Sequence, residues 1–284
     1  MKIQETTLKS VLLYQISRFT SFCISEPIFY INMRPTILIT NDDGLTAKGI
    51  KVLKECMLPL GDVVVVGPDG PRSGMSSAIT VSLPTRLQKV HEEEGLKIYR
   101  CSGTPVDCVK LALNVLFKDK HPGLLVTGIN HGTNSSISVV YSGTMGAAIE
   151  GCINKVPSIG FSLCNHQPDA DFEHITQYVS AITQKVLENG LPQGVCLNVN
   201  MPEGTPKGVK VCRQASGLWT EEFVRQLDPN GHPYFWLTGN FTNREPEAID
   251  TDEWALANNY IAVVPTKIDM TAYDALEELK TWAF

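Results

Sequence analysis

The sequence predicts an α/β fold: a Rossmann-like, open, mostly parallel sheet with helices on both faces, carrying a C-terminal β-hairpin extension. Three observations predict it. From Thr36 onward, short β-branched apolar runs alternate with stretches of helical spacing. The runs are continuous, as strands buried on both faces require. Beyond Met201 the alternation stops, and Gly, Pro and aromatics gather, as in His232-Pro233-Tyr234-Phe235-Trp236.

Each element has its own signal. Thr36-Ile37-Leu38-Ile39-Thr40 reads as the first strand, broken by Asn41-Asp42-Asp43-Gly44. Ile50, Leu53 and Met57 lie at helical spacing. Asp62-Val63-Val64-Val65-Val66 is a second buried strand, ended by Gly67-Pro68-Asp69-Gly70-Pro71. Residues 79–90 read as extended, with 97–101 as partner and a turn over 92–95. Thr104-Pro105-Val106-Asp107 opens a helix running to about 117, with Thr104 as N-cap, Pro105 at the first helical position and Asp107 as reciprocal cap. Further strands are predicted over 123–127, 158–163 and 195–199. A helix is predicted to start at Gly143 or Thr144 and end near 154. Phe172, Ile175, Val179, Ile182 and Val186 line another, closed by Gly190. A short helix over 252–258, a strand over 260–265 and a last helix complete the reading.

Composition narrows the class. The chain has 284 residues, is 43% apolar and carries a formal net charge of −6. It can therefore bury a sizeable core, and it shows no basic patch of the kind nucleic-acid binders display. Its eight cysteines form no C-x-x-C pair, and most sit in apolar runs. Free thiols in a reducing compartment, hence the cytoplasm, are expected. The apolar stretch Ser10-Val11-Leu12-Leu13-Tyr14-Gln15-Ile16 is too short to span a bilayer. Residues 1–32 are read as an upstream extension outside the conserved fold, with Met33 as the natural start and 33–284 as a single domain; a signal peptide is the competing reading.

In a sheet of this kind, ligands bind beyond the carboxyl ends of the strands. Four segments are selected on that ground. Asn41-Asp42-Asp43-Gly44 sets two acids side by side, an arrangement suited to a hard divalent cation, although a helix cap and a turn Asp would look the same. The loop from Gly67 to Ser77 offers the hydroxyl of Ser73, and Arg72 either for phosphate or for pairing with an acid. Asn130 brings an amide carbonyl and Asn134 an amide donor, whereas Asn beside Gly is more commonly a turn residue. Tyr141-Ser142-Gly143-Thr144 opens a helix and exposes N–H groups to an anion, or Ser142 simply caps it. Together, acids, neutral oxygen donors and a phosphate-suited helix start point to metal-assisted hydrolysis of small phosphate esters. There is no G-x-x-x-x-G-K-[ST], no G-x-G-x-x-G after the first strand and no G-x-S-x-G, which disfavours P-loop, dinucleotide and esterase chemistry.

These segments, with Gly103-Thr104-Pro105-Val106-Asp107-Cys108 and the later Thr251-Asp252 and Val264-Pro265, resemble the survival protein SurE family over about residues 34–271. The resemblance implies a metal-dependent 5′(3′)-nucleotidase that hydrolyses nucleoside monophosphates to nucleoside and phosphate. It implies one Mg²⁺ or Mn²⁺ per subunit held by Asp42, Asp43, Ser73 and Asn130, with Asp42 and Asp43 also catalytic through an activated water. Phosphate and substrate contacts carry over to Asn134, Ser142, Gly143 and Thr144, and Asn41 is added from the same loop. The family implies a homodimer or homotetramer, with residues 218–242 and 266–284 as assembly elements. Residues 1–32 have no counterpart in it, and His131 falls at a variable position. A broader acid phosphatase or exopolyphosphatase, a covalent aspartyl path and a nucleotide-binding regulatory module without turnover are the alternatives.

Overall fold

The strand–helix alternation closes into a nine-stranded sheet in the computed structural model of the chain, which describes residues 34–282. The expectations for residues 1–32, Met33 and the apolar stretch from Ser10 lie outside the described residues. In chain order the elements are β1 (Thr36–Thr40), α1 (Lys48–Met57), β2 (Asp62–Pro68), β3 (Leu87–Glu93), β4 (Leu96–Cys101), α2 (Pro105–Leu111), β5 (Leu124–His131), α3 (Gly143–Ile153), β6 (Ser158–Leu163) and α4 (Thr176–Asn189). Then come β7 (Val195–Met201), β8 (Val209–Val211), β9 (Gly217–Thr220), β10 (Phe223–Leu227), β11 (Pro233–Leu237), β12 (Asn240–Asn243), α5 (Asp252–Ala257), β13 (Ile261–Lys267) and α6 (Tyr273–Leu279).

The spatial order is β3-β4-β2-β1-β5-β6-β7-β13-β8. Strands β4, β2, β1, β5, β6 and β7 run parallel, while β3 and β13 are antiparallel to β4 and β7. Successive side chains of a strand face opposite ways, and the continuous apolar runs use both sides. Ile37, Ile39, Val63, Val65, Leu124 and Val126 pack with Leu53 of α1 and Val179 of α4. Leu38, Val64, Val66 and Leu125 pack with Val109 of α2 and Ala147 of α3. From β1 the chain crosses to β2 on one side, and from β5 to β6 on the other. The β1/β5 crevice is therefore the switch point where this topology places a ligand.

Local signals account for most boundaries. At α2, Thr104 and Asp107 form the reciprocal cap, with Pro105 at the start. Gly190 ends α4 at φ +69°. Residues 79–86, expected to be extended, form no strand. Asp107 holds Thr80 of this segment instead, accepting from its hydroxyl at 2.5 Å and its N–H at 3.1 Å. The expected turn tightens to Glu94-Gly95, and β8 is an element the sequence reading did not contain.

The aromatic region forms two stacked ladders, β9/β12 and then β10/β11. Arg213 braces their base, donating to both carboxylate oxygens of Glu245 at 2.7 and 2.8 Å and to Asp250 at 2.8 Å. Phe223, Phe235, Trp236 and Leu237 remain exposed on β10 and β11, and α6 has no buried residue.

Asp252 is fully buried and joins this base to the segment before α3. It accepts from the N–H groups of Ala215 (2.9 Å), Glu253 (2.9 Å) and Ser136 (2.8 Å). Asp252→Ala leaves buried donors unpaired at about 1–3 kcal/mol each. A loss of roughly 3 kcal/mol in urea unfolding is expected, with Asp252→Asn losing less because it keeps one acceptor oxygen.

Candidate active site

Strand β1 delivers the acidic loop into the crevice. Gly44 takes φ +92°, and the amide of Asn41 closes the turn by donating to the Gly44 carbonyl at 3.0 Å. Asn41 is fully buried in that turn, and its Oδ1 has no hydrogen-bond partner. The Asp42 carbonyl accepts from the Arg72 N–H at 2.7 Å, which ties the Ser73 loop to the acidic loop. The Arg72 guanidinium is engaged with Asp69 at 2.9 Å, the acid-pairing outcome of its two expected uses.

Helix α3 meets Asp42 with its first turn. The Thr144 hydroxyl donates to Asp42 Oδ1 at 2.6 Å. A Cβ at Gly143 would fall 3.0 Å from Asp42 Cβ and 3.1 Å from Oδ2, so any side chain there would push Asp42 aside by a few tenths of an ångström. Ser142 caps the helix, its oxygen accepting from the Met145 N–H at 3.0 Å. That bond occupies a lone pair and leaves the Ser142 O–H free to donate. The cap and anion-site readings are therefore compatible.

Asp43 faces β5. The β5/β6 register shifts between Thr127 and Asn130, a bulge of the kind that re-aims side chains beside functional sites. Gly128 sits in it at φ +113°, where a Cβ would lie 2.2 Å from the Phe161 carbonyl oxygen. Beyond the bulge, the His131 N–H and ring Nδ1 lie 3.3 and 3.1 Å from Asp43 Oδ2. The ring packs edge-on against Phe172 with centroids 5.1 Å apart, and its buried Nε2 has no hydrogen-bond partner. Asn130 donates to the Gly132 carbonyl at 2.7 Å. Asn134 is fixed by three neighbours: its N–H donates to Asn200 Oδ1 (2.7 Å), its side-chain amide to Ser162 (2.8 Å), and its carbonyl accepts from Asn198 (2.8 Å).

A cavity of about 390 Å³ brings Asp42, Ser73, Asn130, Asn134 and Ser142 together. Its lining does not include Asn41, Asp43, Gly143 or Thr144: the first closes a turn, and the other three pack against His131 or Asp42. The sequence reading missed His166, Trp219, Glu222 and Thr238, which also line the cavity. A larger groove, lined by Lys48, Val52 and Gln177 among others, contains none of the predicted residues.

No Lys or Arg pairs with Asp42 or Asp43 among the described residues. Burial pushes the Asp42 carboxyl up from an ordinary 3.8 to about 6, against the opposing Thr144 hydrogen bond and with help from Asp43. Between those values the folded protein holds a proton that the unfolded chain has released. Stability from this group therefore falls as pH rises from about 4 to about 6. In EDTA at pH 7, Asp42→Asn is expected to be more stable than the parent by on the order of 3 kcal/mol. The difference should vanish near pH 4, and urea unfolding at both pH values checks it.

The model of the family described as "Survival protein SurE" matches residues 37–221. The 5′-nucleotidase SurE of Phocaeicola vulgatus is 54% identical over 250 residues, covering 88% of this chain and 97% of that protein. The protein of the same name from Bacteroides thetaiotaomicron is 55% identical over 248 residues, covering 87% and 95%. The crystal structure of the SurE protein from Aquifex aeolicus superposes with a TM-score of 0.75 at 36% identity, covering 87% of this chain and 98% of that one. With a family model spanning most of the parallel sheet and relatives matched over nearly their whole length, the chain belongs to the survival protein SurE family.

Proposed function

We propose that the chain is a metal-dependent 5′-nucleotidase that hydrolyses nucleoside monophosphates to nucleoside and phosphate. One observation carries the reading: two acids without a Lys or Arg partner share the β1/β5 crevice with the first turn of α3. The names of the relatives supply the substrate class. The cavity volume, about 390 Å³, suits a small-molecule ligand.

The donor set fits a hard divalent cation. Among the described residues no three His, Cys, Asp or Glu side chains group as a metal site. Asp42 and Asp43 would therefore hold one Mg²⁺ or Mn²⁺ with the neutral oxygens of Ser73 and Asn130 and with water. The buried Asp42 carboxylate, which has no cationic side chain beside it and lines the cavity, is in keeping with a cation at this spot. When bound, such a cation supplies Lewis-acid polarisation of a phosphoryl oxygen and a water of lowered pKa.

The protein's own groups do the rest. Asp43 would accept a proton from the attacking water as its oxygen bonds to phosphorus, while the P–O bond to the nucleoside breaks and the nucleoside oxygen takes up a proton from solvent. The Ser142 O–H, the Gly143 N–H and the second hydrogen of the Asn134 amide hold phosphate oxygens and stabilise charge as it develops. Thr144 acts through Asp42, since its hydroxyl is already committed there. Asn41 shapes the loop that carries both acids.

We further propose a cytoplasmic homodimer or homotetramer. The seven described cysteines are free, and no helix among the described residues is long and apolar enough to cross a membrane. A two-stranded ladder with exposed aromatics is marginal alone in water, and such a patch marks an association surface. Replacing Phe235 and Trp236 by Ser is expected to lower the mass measured by light scattering.

Phosphate release from AMP and GMP with Mn²⁺ tests the activity, with polyphosphate as a comparison substrate. EDTA should abolish it. Asp42→Ala and Asp43→Ala should each lose more than the ~10²–10³ that one electrostatic contact commonly contributes, because the cation leaves as well. Near-normal turnover by either variant with Mn²⁺ still bound would refute the assignment.

A further inference from the structure

We propose that His131 is a positioning residue for Asp43, pinning one carboxylate oxygen so that the other is presented to a divalent cation. The inference rests on the reading of Asp43 as a cation ligand. It goes beyond that reading by assigning a role to a residue outside the donor set.

Both polar groups that His131 offers in this direction converge on one atom. Its backbone N–H is 3.3 Å from Asp43 Oδ2, and its ring Nδ1 is 3.1 Å from the same oxygen. An ionised carboxylate only accepts, so Nδ1 carries the hydrogen in this contact. Oδ1 of Asp43 receives no hydrogen bond from the described residues. The carboxylate is thereby divided into a held oxygen and an open one, which is the state of a ligand oriented before its cation arrives.

The two donors are themselves immobilised. The His131 backbone lies at the end of β5, in register with Leu163 of β6. The imidazole side chain is only 10% exposed and packs at 84° against Phe172, which lies in the core with Ile129 and Ile175. Rotating the ring away would open a void beside Phe172. Strand pairing and aromatic packing therefore hold a hydrogen-bond donor against a carboxylate that sits on a loop. The same β5 bulge that re-aims Asn130 sets this geometry, so a neutral donor and the brace on a charged one come from adjacent residues.

Three substitutions separate the contact from the packing. His131→Phe keeps an aromatic ring for Phe172 but removes the donor. His131→Asn places an amide nitrogen where Nδ1 stands. His131→Gln places it where Nε2 stands and is the second donor-loss variant. Mn²⁺ binding to the full chain is measured by calorimetry, after metal-free melting has shown which variants fold as the parent does. His131→Phe and His131→Gln are expected to weaken Mn²⁺ about 10–100-fold, the usual effect of removing a group that orients a metal ligand. His131→Asn is expected to bind close to the parent, a rescue that a packing role would not produce. At saturating Mn²⁺, kcat with AMP should recover in all three.

Parent-like Mn²⁺ affinity in both donor-loss variants, with Asp43→Ala having lost the metal, overturns the His131 assignment alone. Loss in His131→Asn equal to that in His131→Phe also overturns it. Undiminished Mn²⁺ binding by Asp43→Ala overturns the cation reading, and this inference with it.

Discussion

The approach of the first turn of α3 to the buried Asp42 carboxylate organises the whole crevice. A Thr144 hydroxyl at 2.6 Å and a residue without a Cβ at Gly143 allow a charged group to sit where bulk water does not reach. Helix N-termini carry partial positive charge and unpaired N–H groups, which offset part of the desolvation. The offset is incomplete, and burial still pushes the Asp42 carboxyl up to about 6. On the proposed reading, a divalent cation supplies the positive charge that the neighbouring groups do not. Stability is lower than it could be at the place where the chemistry is proposed, a common feature of functional sites.

Around this contact the sheet supplies rigidity through polar groups as well as apolar ones. Asn198 and Asn200 on β7 carry Asn134 between them, and Ser162 on β6 takes its amide. The network continues outward through Thr133 and Ser135 to Glu253 at the start of α5. Asp252 beside it ties Ser136 and Ala215. Buried hydrogen-bond networks of this kind favour one arrangement, because most others leave polar atoms bare. The loop that precedes α3 is therefore held from two sides, by β7 and by α5.

Much of this was legible in the residues. The Thr104–Asp107 capping box, the Gly190 helix stop and the 36–40 strand follow from local rules, and the observed elements begin or end where those rules place them. The acidic loop and the Ser142 helix start could be selected because open α/β sheets put ligands at strand ends. Other features were hidden because they are tertiary. Nothing in the spacing of Thr144 tells that its hydroxyl is spent on Asp42. Residues 79–86 alternate like a strand, yet Thr80 is held by Asp107 and the Arg86 N–H by Ser102, with no ladder. His131 carries no local signal of its role, since only the bulge after Thr127 turns it onto Asp43. Trp219 and Glu222 carry no local mark, since only the path of the hairpin brings them to the cavity.

That path has a consequence for how selectivity can change. The floor of the cavity is built at the switch point of the sheet, while part of its outer wall, Trp219, Glu222, Leu237 and Thr238, is borne on the projecting ribbon. The floor is locked by packing on both sides, whereas the ribbon is braced mainly at its base. Drift in the ribbon can therefore reshape the outer part of the cavity while its floor stays constant. On the proposed reading, substrate scope and phosphoryl chemistry are then separately heritable.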